Sequence, residues 1–150
     1  MVMGQQELLD QFALQQLAYR YASAVDARDA AALAKCFDDD LLLISPVAEM
    51  RGNGSEIAQK ITAILTQQFV WTMHNVHNID YVIDGAAASG RINCVASHIS
   101  KKDNEFVKWD WYIRYSDKAV KHDGEWRYSE RRLDCEFTAT QTVQRFDISK

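Results

Sequence analysis

Near Trp71 the chain changes its period, and that change constrains the fold more than any other feature. Upstream, apolar residues recur at three- and four-residue intervals, the repeat of helices buried along one face. Downstream, apolar and polar residues alternate through four segments rich in β-branched and aromatic side chains, the repeat of strands. The segments are divided by Asp84-Gly85, by Lys102-Asp103-Asn104 and by Asp123-Gly124, each suited to a tight hairpin turn. Helices first and a meander of strands afterwards predict an α+β domain. Three N-terminal helices are expected to pack on one face of a curved mixed sheet shaped as a cone.

The helical half reads in three pieces. Leu8, Leu9, Phe12, Leu14, Leu17, Tyr21, Ala24 and Val25 predict one long amphipathic helix between Gln5 and Val25. Asp29 can cap a short second helix, Ala30 to Phe37, with Leu33 and Phe37 on one side. LLLIS, just before Pro46, reads as a short strand. Gly52 and Gly54 then break the chain ahead of a third helix, which opens at Ser55 and Glu56 and carries Ile57, Ile61, Ile64 and Leu65. At 150 residues the chain, 1–150, is expected to form a single domain that buries about two-thirds of its unfolded surface.

Composition removes several functions. The formal charge is −4 and the basic residues are scattered, which leaves no electrostatic footprint for nucleic acid or an anionic membrane. No apolar run approaches a membrane span, and MVMGQQELLDQ lacks the basic start and apolar core of a signal peptide, so a cytoplasmic location is expected. Cys36, Cys94 and Cys135 are far apart and form no CxxC pair. They read as reduced, mostly buried thiols, with neither a disulfide framework nor a metal site.

Three polar residues interrupt the apolar pattern. Asp26 closes the first amphipathic stretch, His74 opens one alternating segment and His98 ends another. Gly90, Ile92, Cys94, Ala96 and His98 share one strand face, so His98 points to the small, apolar side. A core histidine satisfied by a backbone carbonyl, and an aspartate that only caps a helix, are the bland alternatives. The functional reading is an imidazole base whose tautomer is fixed by Asp26, which stays ionised and stabilises the imidazolium that forms. His98, reaching the same cavity, would donate a hydrogen bond or proton to a leaving hydroxyl or a developing enolate. Val107, Trp109, Trp111, Ile113 and Tyr115 share the inward parity of the next segment. They are either plain core or the wall of a pocket for a flat or polycyclic hydrophobic molecule. His77 has the opposite parity from His74, and His122 sits beside a turn, so neither completes a metal pair.

The segments LAYRYASAVDARDAAALAKCFDDD, MHNVHN and IRYSDKAVKHDGEWRYSERR, taken together, resemble the SnoaL-like group of the nuclear transport factor 2-like superfamily, over nearly the whole chain. The resemblance implies a cone-shaped α+β barrel with a long helix across its mouth. Known members include scytalone dehydratase, a hexachlorocyclohexane dehydrochlorinase and polyketide cyclases. By position, it implies that Asp26 is the orienting acid and that His74, which opens the His-x-x-x-Asn pattern ending at Asn78, is the base. His98 matches a second histidine, and Arg131, five residues after Trp126, matches a pocket arginine. Two tyrosines of scytalone dehydratase correspond to Val25 and Ser45, and a lysine of the dehydrochlorinase corresponds to Tyr21, so neither of those substrates is implied.

The expected function is therefore a cofactor-independent lyase of the dehydratase type, or an isomerase, acting on a hydrophobic ring-containing molecule. Tyr21, Asn78, Trp109, Trp111, Tyr115 and Arg131 are its expected substrate contacts. A non-catalytic ligand-binding or assembly module, and a hydrolase or cyclase using the aspartate as acid or base, stand as alternatives. Phe106, Tyr112, Tyr128, Leu133 and Phe137 are read as apolar surface the helices leave uncovered. They predict a homo-oligomer, a trimer before a dimer, with Thr138 to Lys150 covering a neighbour or the chain's own cavity.

Overall fold

The structure, a computed structural model, describes residues 3–147. The outermost residues of the expected domain, and the last three of the Thr138–Lys150 segment, lie outside the described residues. Helices α1 (Gln5–Ala27) and α2 (Ala30–Ala34) are followed by strands β1 (Phe37–Ile44) and β2 (Glu49–Gly52), then helix α3 (Gly54–Gln68). Four long strands follow: β3 (Trp71–Asp84), β4 (Ala87–Lys102), β5 (Glu105–His122) and β6 (Glu125–Val143). They form one curved, unclosed mixed sheet in the order β2-β1-β6-β5-β4-β3, in which β1 runs parallel to β6 and every other pairing is antiparallel.

The expected turns close the hairpins. Gly85 adopts φ 59°, and Asp123 and Gly124 adopt 51° and 83°, the positive values that a two-residue connection between twisted strands requires. Asp29 and Asn53 start the second and third helices. Asp29 accepts from the Ala32 N–H at 2.9 Å, and Asn53 from the N–H groups of Ser55 and Glu56 at 2.9 and 3.3 Å, contacts worth about 1 kcal/mol each.

Three details of element boundaries and strand register depart from the sequence reading. The second helix stops at Ala34 rather than running to Phe37, because Phe37 starts β1 and packs in the core beside Tyr21. The Tyr128 N–H donates to the Cys36 carbonyl at 2.8 Å, so pairing with β6 captures backbone that propensity assigned to a helix. A sixth strand, β2, was not expected. It is four residues long at the sheet edge, held to β1 by a turn in which Ser45 N–H donates to the Ala48 carbonyl at 2.8 Å. The third departure is parity in β6, where register shifts against β5 flank Ser129 and Glu136. Each bulge adds a residue and reverses the faces. Trp126 and Tyr128 point inward before the first bulge and Arg131 and Leu133 after it, so Tyr128 and Leu133, expected as apolar surface the helices leave uncovered, both face the core.

The core lies between the helices and the concave side of the sheet. Leu14, Leu17, Ala18 and Val25 of α1 meet Ile92, Cys94 and Ala96 of β4 in one apolar cluster, and each large side chain there contributes about 1.5–3 kcal/mol. Leu8, Leu9 and Phe12 were expected on the buried stripe of α1 but stay exposed, Phe12 to 60%, because the face that meets the sheet runs through Asp10, Leu14, Leu17 and Tyr21 instead. Cys36 and Cys94 are buried, Cys135 half-buried, and all three are free thiols. No described helix is long and apolar enough to cross a membrane.

Candidate active site

Asp26 sits in the last turn of α1, where the helix crosses the start of β3. Its Oδ1 lies 2.7 Å from His74 Nδ1, and its Oδ2 accepts the backbone N–H of the same histidine at 2.8 Å. Thr72 donates its hydroxyl to Oδ1 at 2.9 Å. An ionised carboxylate only accepts, so His74 carries its ring proton on Nδ1, and Nε2 presents a lone pair. Burial pushes the Asp26 carboxyl upward, yet the hydrogen bonds and charge of His74 and the Thr72 hydroxyl outweigh it and hold the group below the ordinary range.

His98 stands on the adjacent strand, its Cα opposite that of Thr72. Its ring meets that of His74 edge-on, with centroids 5.9 Å apart. It is 7% exposed, and its Nδ1 lies 3.2 Å from the Trp109 carbonyl. A carbonyl accepts only, so neutral His98 also keeps its proton on Nδ1 and offers Nε2 as an acceptor. Burial, and then the charge of His74, lower its pKa, which favours the neutral form.

Both imidazoles border a cavity of about 260 Å³ enclosed by α1, α3 and the concave face of the sheet. Tyr21, Trp109, Trp111 and Tyr115 line it, as the inward stripe suggested, with Trp109 at the rim. Ile61 and Leu65 of α3 and Phe69 beyond it complete an apolar wall, and the Phe69 ring lies 4.7 Å from that of His98. The cone is hollow rather than filled by its aromatics.

Two expected contacts lie elsewhere. Asn78 is exposed next to a register shift between β3 and β4 and does not border the cavity. Arg131 is 1% exposed and sits behind the lining, its guanidinium 4.0, 3.7 and 4.4 Å from the ring centres of Tyr21, Tyr115 and Tyr128. Its Nε is 3.3 Å from Asp117 Oδ1, a buried pair under the cavity floor. Burial raises Asp117 to about 6, against the pull of Arg131. Thr72 and Phe69 were missed. Thr72 shares the parity of His74 and could have been found by that signal, whereas Phe69 lies outside any periodic segment.

The SnoaL-like domain model matches residues 6–132. The chain belongs to the SnoaL-like family. No curated protein matches it. Among solved structures, this SnoaL-like domain is similar to the hexachlorocyclohexane dehydrochlorinase LinA-type3 from Novosphingobium barchaimii LL02, at 17% identity and TM-score 0.79, over 93% of this chain and 95% of that one. A protein proposed to be a scytalone dehydratase, from Novosphingobium aromaticivorans, matches at 23% identity and TM-score 0.76, over 91% of each chain. A nuclear transport factor 2-like superfamily protein from Salmonella enterica matches at 16% and 0.73, over 83% of this chain and 89% of that one. At these identities the likeness establishes a shared fold.

Proposed function

We propose that this SnoaL-like domain is a cofactor-independent lyase of the dehydratase type, or an isomerase, in which His74 removes a proton beside a carbonyl of a hydrophobic ring compound. The observation that carries the reading is the 2.7 Å contact between Asp26 Oδ1 and His74 Nδ1, which leaves Nε2 as the basic atom of a ring bordering an apolar cavity. In an elimination, the C–H proton passes to Nε2 and the electron pair forms the double bond. The C–O bond breaks, and the leaving hydroxyl takes the proton back from the imidazolium. In an isomerisation the same proton returns to a different carbon. Asp26 stabilises the imidazolium in both.

His98 is better suited to accept a hydrogen bond from a substrate hydroxyl than to act as the acid, because the Trp109 carbonyl and burial favour a neutral ring protonated on Nδ1. A volume of about 260 Å³ lies at the small end for ligand sites and favours one or two rings over a larger polycycle. Asp26 does not border the cavity, and both its oxygens are engaged, which weighs against a hydrolase or cyclase that uses it directly. A small hydrophobic ligand suits the family resemblance and the apolar walls alike.

Proton abstraction can be tested before the substrate is known. The protein is incubated in D₂O with a panel of cyclic β-hydroxy ketones and enones, and deuterium entering the carbon next to the carbonyl is followed by NMR. Wash-in that disappears in His74→Ala supports the reading. Wash-in that survives at position 74 as alanine overturns it, and a His74→Ala protein that binds the same compounds as tightly as wild type, with no wash-in by either, leaves a binding module.

A further inference from the structure

Arg28 is the first residue beyond α1 and adopts φ 58° and ψ 29°, the left-handed conformation that glycine takes most easily at a helix end. An arginine there is explained by what its side chain does. Nη1 donates to the Val25 carbonyl at 2.8 Å and to the Thr72 hydroxyl oxygen at 2.6 Å. A guanidinium has no acceptor, so the Thr72 oxygen must receive that bond, and its single proton is left to go to Asp26 Oδ1. The hydroxyl is thereby directed rather than free to rotate.

The consequence reaches the base. A carboxylate at a helix end turns readily about its last bond, and each turn would change which oxygen meets the imidazole. Here Oδ1 receives both Thr72 and His74 Nδ1 while Oδ2 receives the His74 backbone N–H, so the carboxylate plane is defined from two sides. Thr72 is 3% exposed, and water has little access to replace its hydroxyl.

We infer that Arg28 and Thr72 are positioning residues, a relay from guanidinium to hydroxyl to carboxylate that fixes the orientation of Asp26 and, through it, the ring tautomer of His74. This rests on the reading of His74 as the base but is tested apart from it.

The test is the ¹⁵N and ¹H spectrum of the histidine rings in the intact protein, which reports directly which nitrogen of His74 is protonated and whether its Nδ1–H is held in a slowly exchanging, downfield hydrogen bond. Wild type is expected to show that resonance and a single Nδ1–H tautomer. Thr72→Val, nearly isosteric, should lose the downfield signal and give a tautomer mixture, while Thr72→Ser should restore both. Arg28→Gly separates positioning from folding. Glycine suits the left-handed backbone, so the thermal midpoint should hold or rise, yet the His74 signal should broaden and its tautomers mix. Thr72→Val and Arg28→Gly spectra that match wild type at His74 overturn the clamp. Asp26→Asn is the control for the dyad: if it too leaves the His74 tautomer unchanged, the dyad reading falls, whereas a change there with none in the other two variants removes only the clamp.

Discussion

His74 and His98 face each other edge to plane, at 77°, yet of the two only His74 is hydrogen-bonded to a carboxylate among the described residues. That asymmetry divides two chemically identical rings into unequal partners. Asp26 contacts the His74 ring directly, while on His98 a positive charge meets burial and the repulsion of the first ring. On the proposed reading, a proton taken from a substrate would rest on His74 rather than on His98.

Asp26→Asn should lower the deuterium wash-in rate about 10²- to 10⁴-fold, the range of a positioned acid–base group. The amide is nearly isosteric and can still accept one of the present bonds, so the denaturation midpoint should move much less than the rate. Rate and stability falling together would mark Asp26 as a structural carboxylate.

Acid stability should carry the signature of His98. Its folded pKa lies below the ordinary 6.5, so between those two values the unfolded chain binds a proton that the folded chain refuses, and stability falls as the pH drops through that window. Asp26, held below 3.8, adds a separate loss as pH falls below that value. Asp117 acts in the opposite sense, since its raised pKa of about 6 makes stability decline as pH rises from about 3.8 to 6. The difference between wild type and His98→Gln isolates the first effect. In urea titrations at stepped pH, that difference should shrink below pH 6.5, and a difference independent of pH would refute the neutral, buried His98.

The Asp117–Arg131 pair should behave as a unit. Arg131→Met leaves a buried carboxylate without its cation, and Asp117→Asn leaves the guanidinium without its anion. Each single change is expected to cost about 3–5 kcal/mol, and the double variant less than the sum. Additive losses in a denaturant double-mutant cycle would show that the three tyrosine rings, rather than Asp117, hold Arg131.

Tyr112 and Phe137 lie opposite each other on the outer side of the sheet, with Phe137 75% exposed and Trp71 and Met73 on the same side of β3. This apolar face is expected to be covered by copies of the chain, in a trimer first and a dimer second. Light scattering at micromolar concentration should give a multiple of the chain mass, reduced in Phe137→Lys. A wild-type monomer would remove the expectation.

What the sequence disclosed depended on how far each cause acts along the chain. The hairpins were legible because Asp84-Gly85 and Asp123-Gly124 determine their own backbone. Asp26, His74 and His98 stood out because parity within a strand, and position within a helix, tell which side chains share a face. The bulge at Ser129 was not legible: its residues carry no signal of their own, and it is defined against β5; plain alternation puts Tyr128 and Leu133 on opposite faces, and only the bulge turns both inward. Arg28 and Thr72 are 44 positions apart, and only the docking of α1 on β3 brings them together. Arg131 was found as a residue but not as a place, since the three tyrosine rings that enclose it come from α1, β5 and β6.

One carboxylate holds both the main chain and the side chain of His74. The ring cannot swing free while the strand stays put, nor can β3 slide along α1 without breaking the same two bonds. In a partly folded chain, with α1 undocked, position 74 is an ordinary imidazole, able to exchange protons with water in either tautomer. Basicity at Nε2 with a defined direction exists only once segments 48 residues apart have met. On the proposed reading, a nascent or damaged chain would carry its base in an unarmed state, and the ordering of the His74 ring proton would double as a report that α1 has docked on β3.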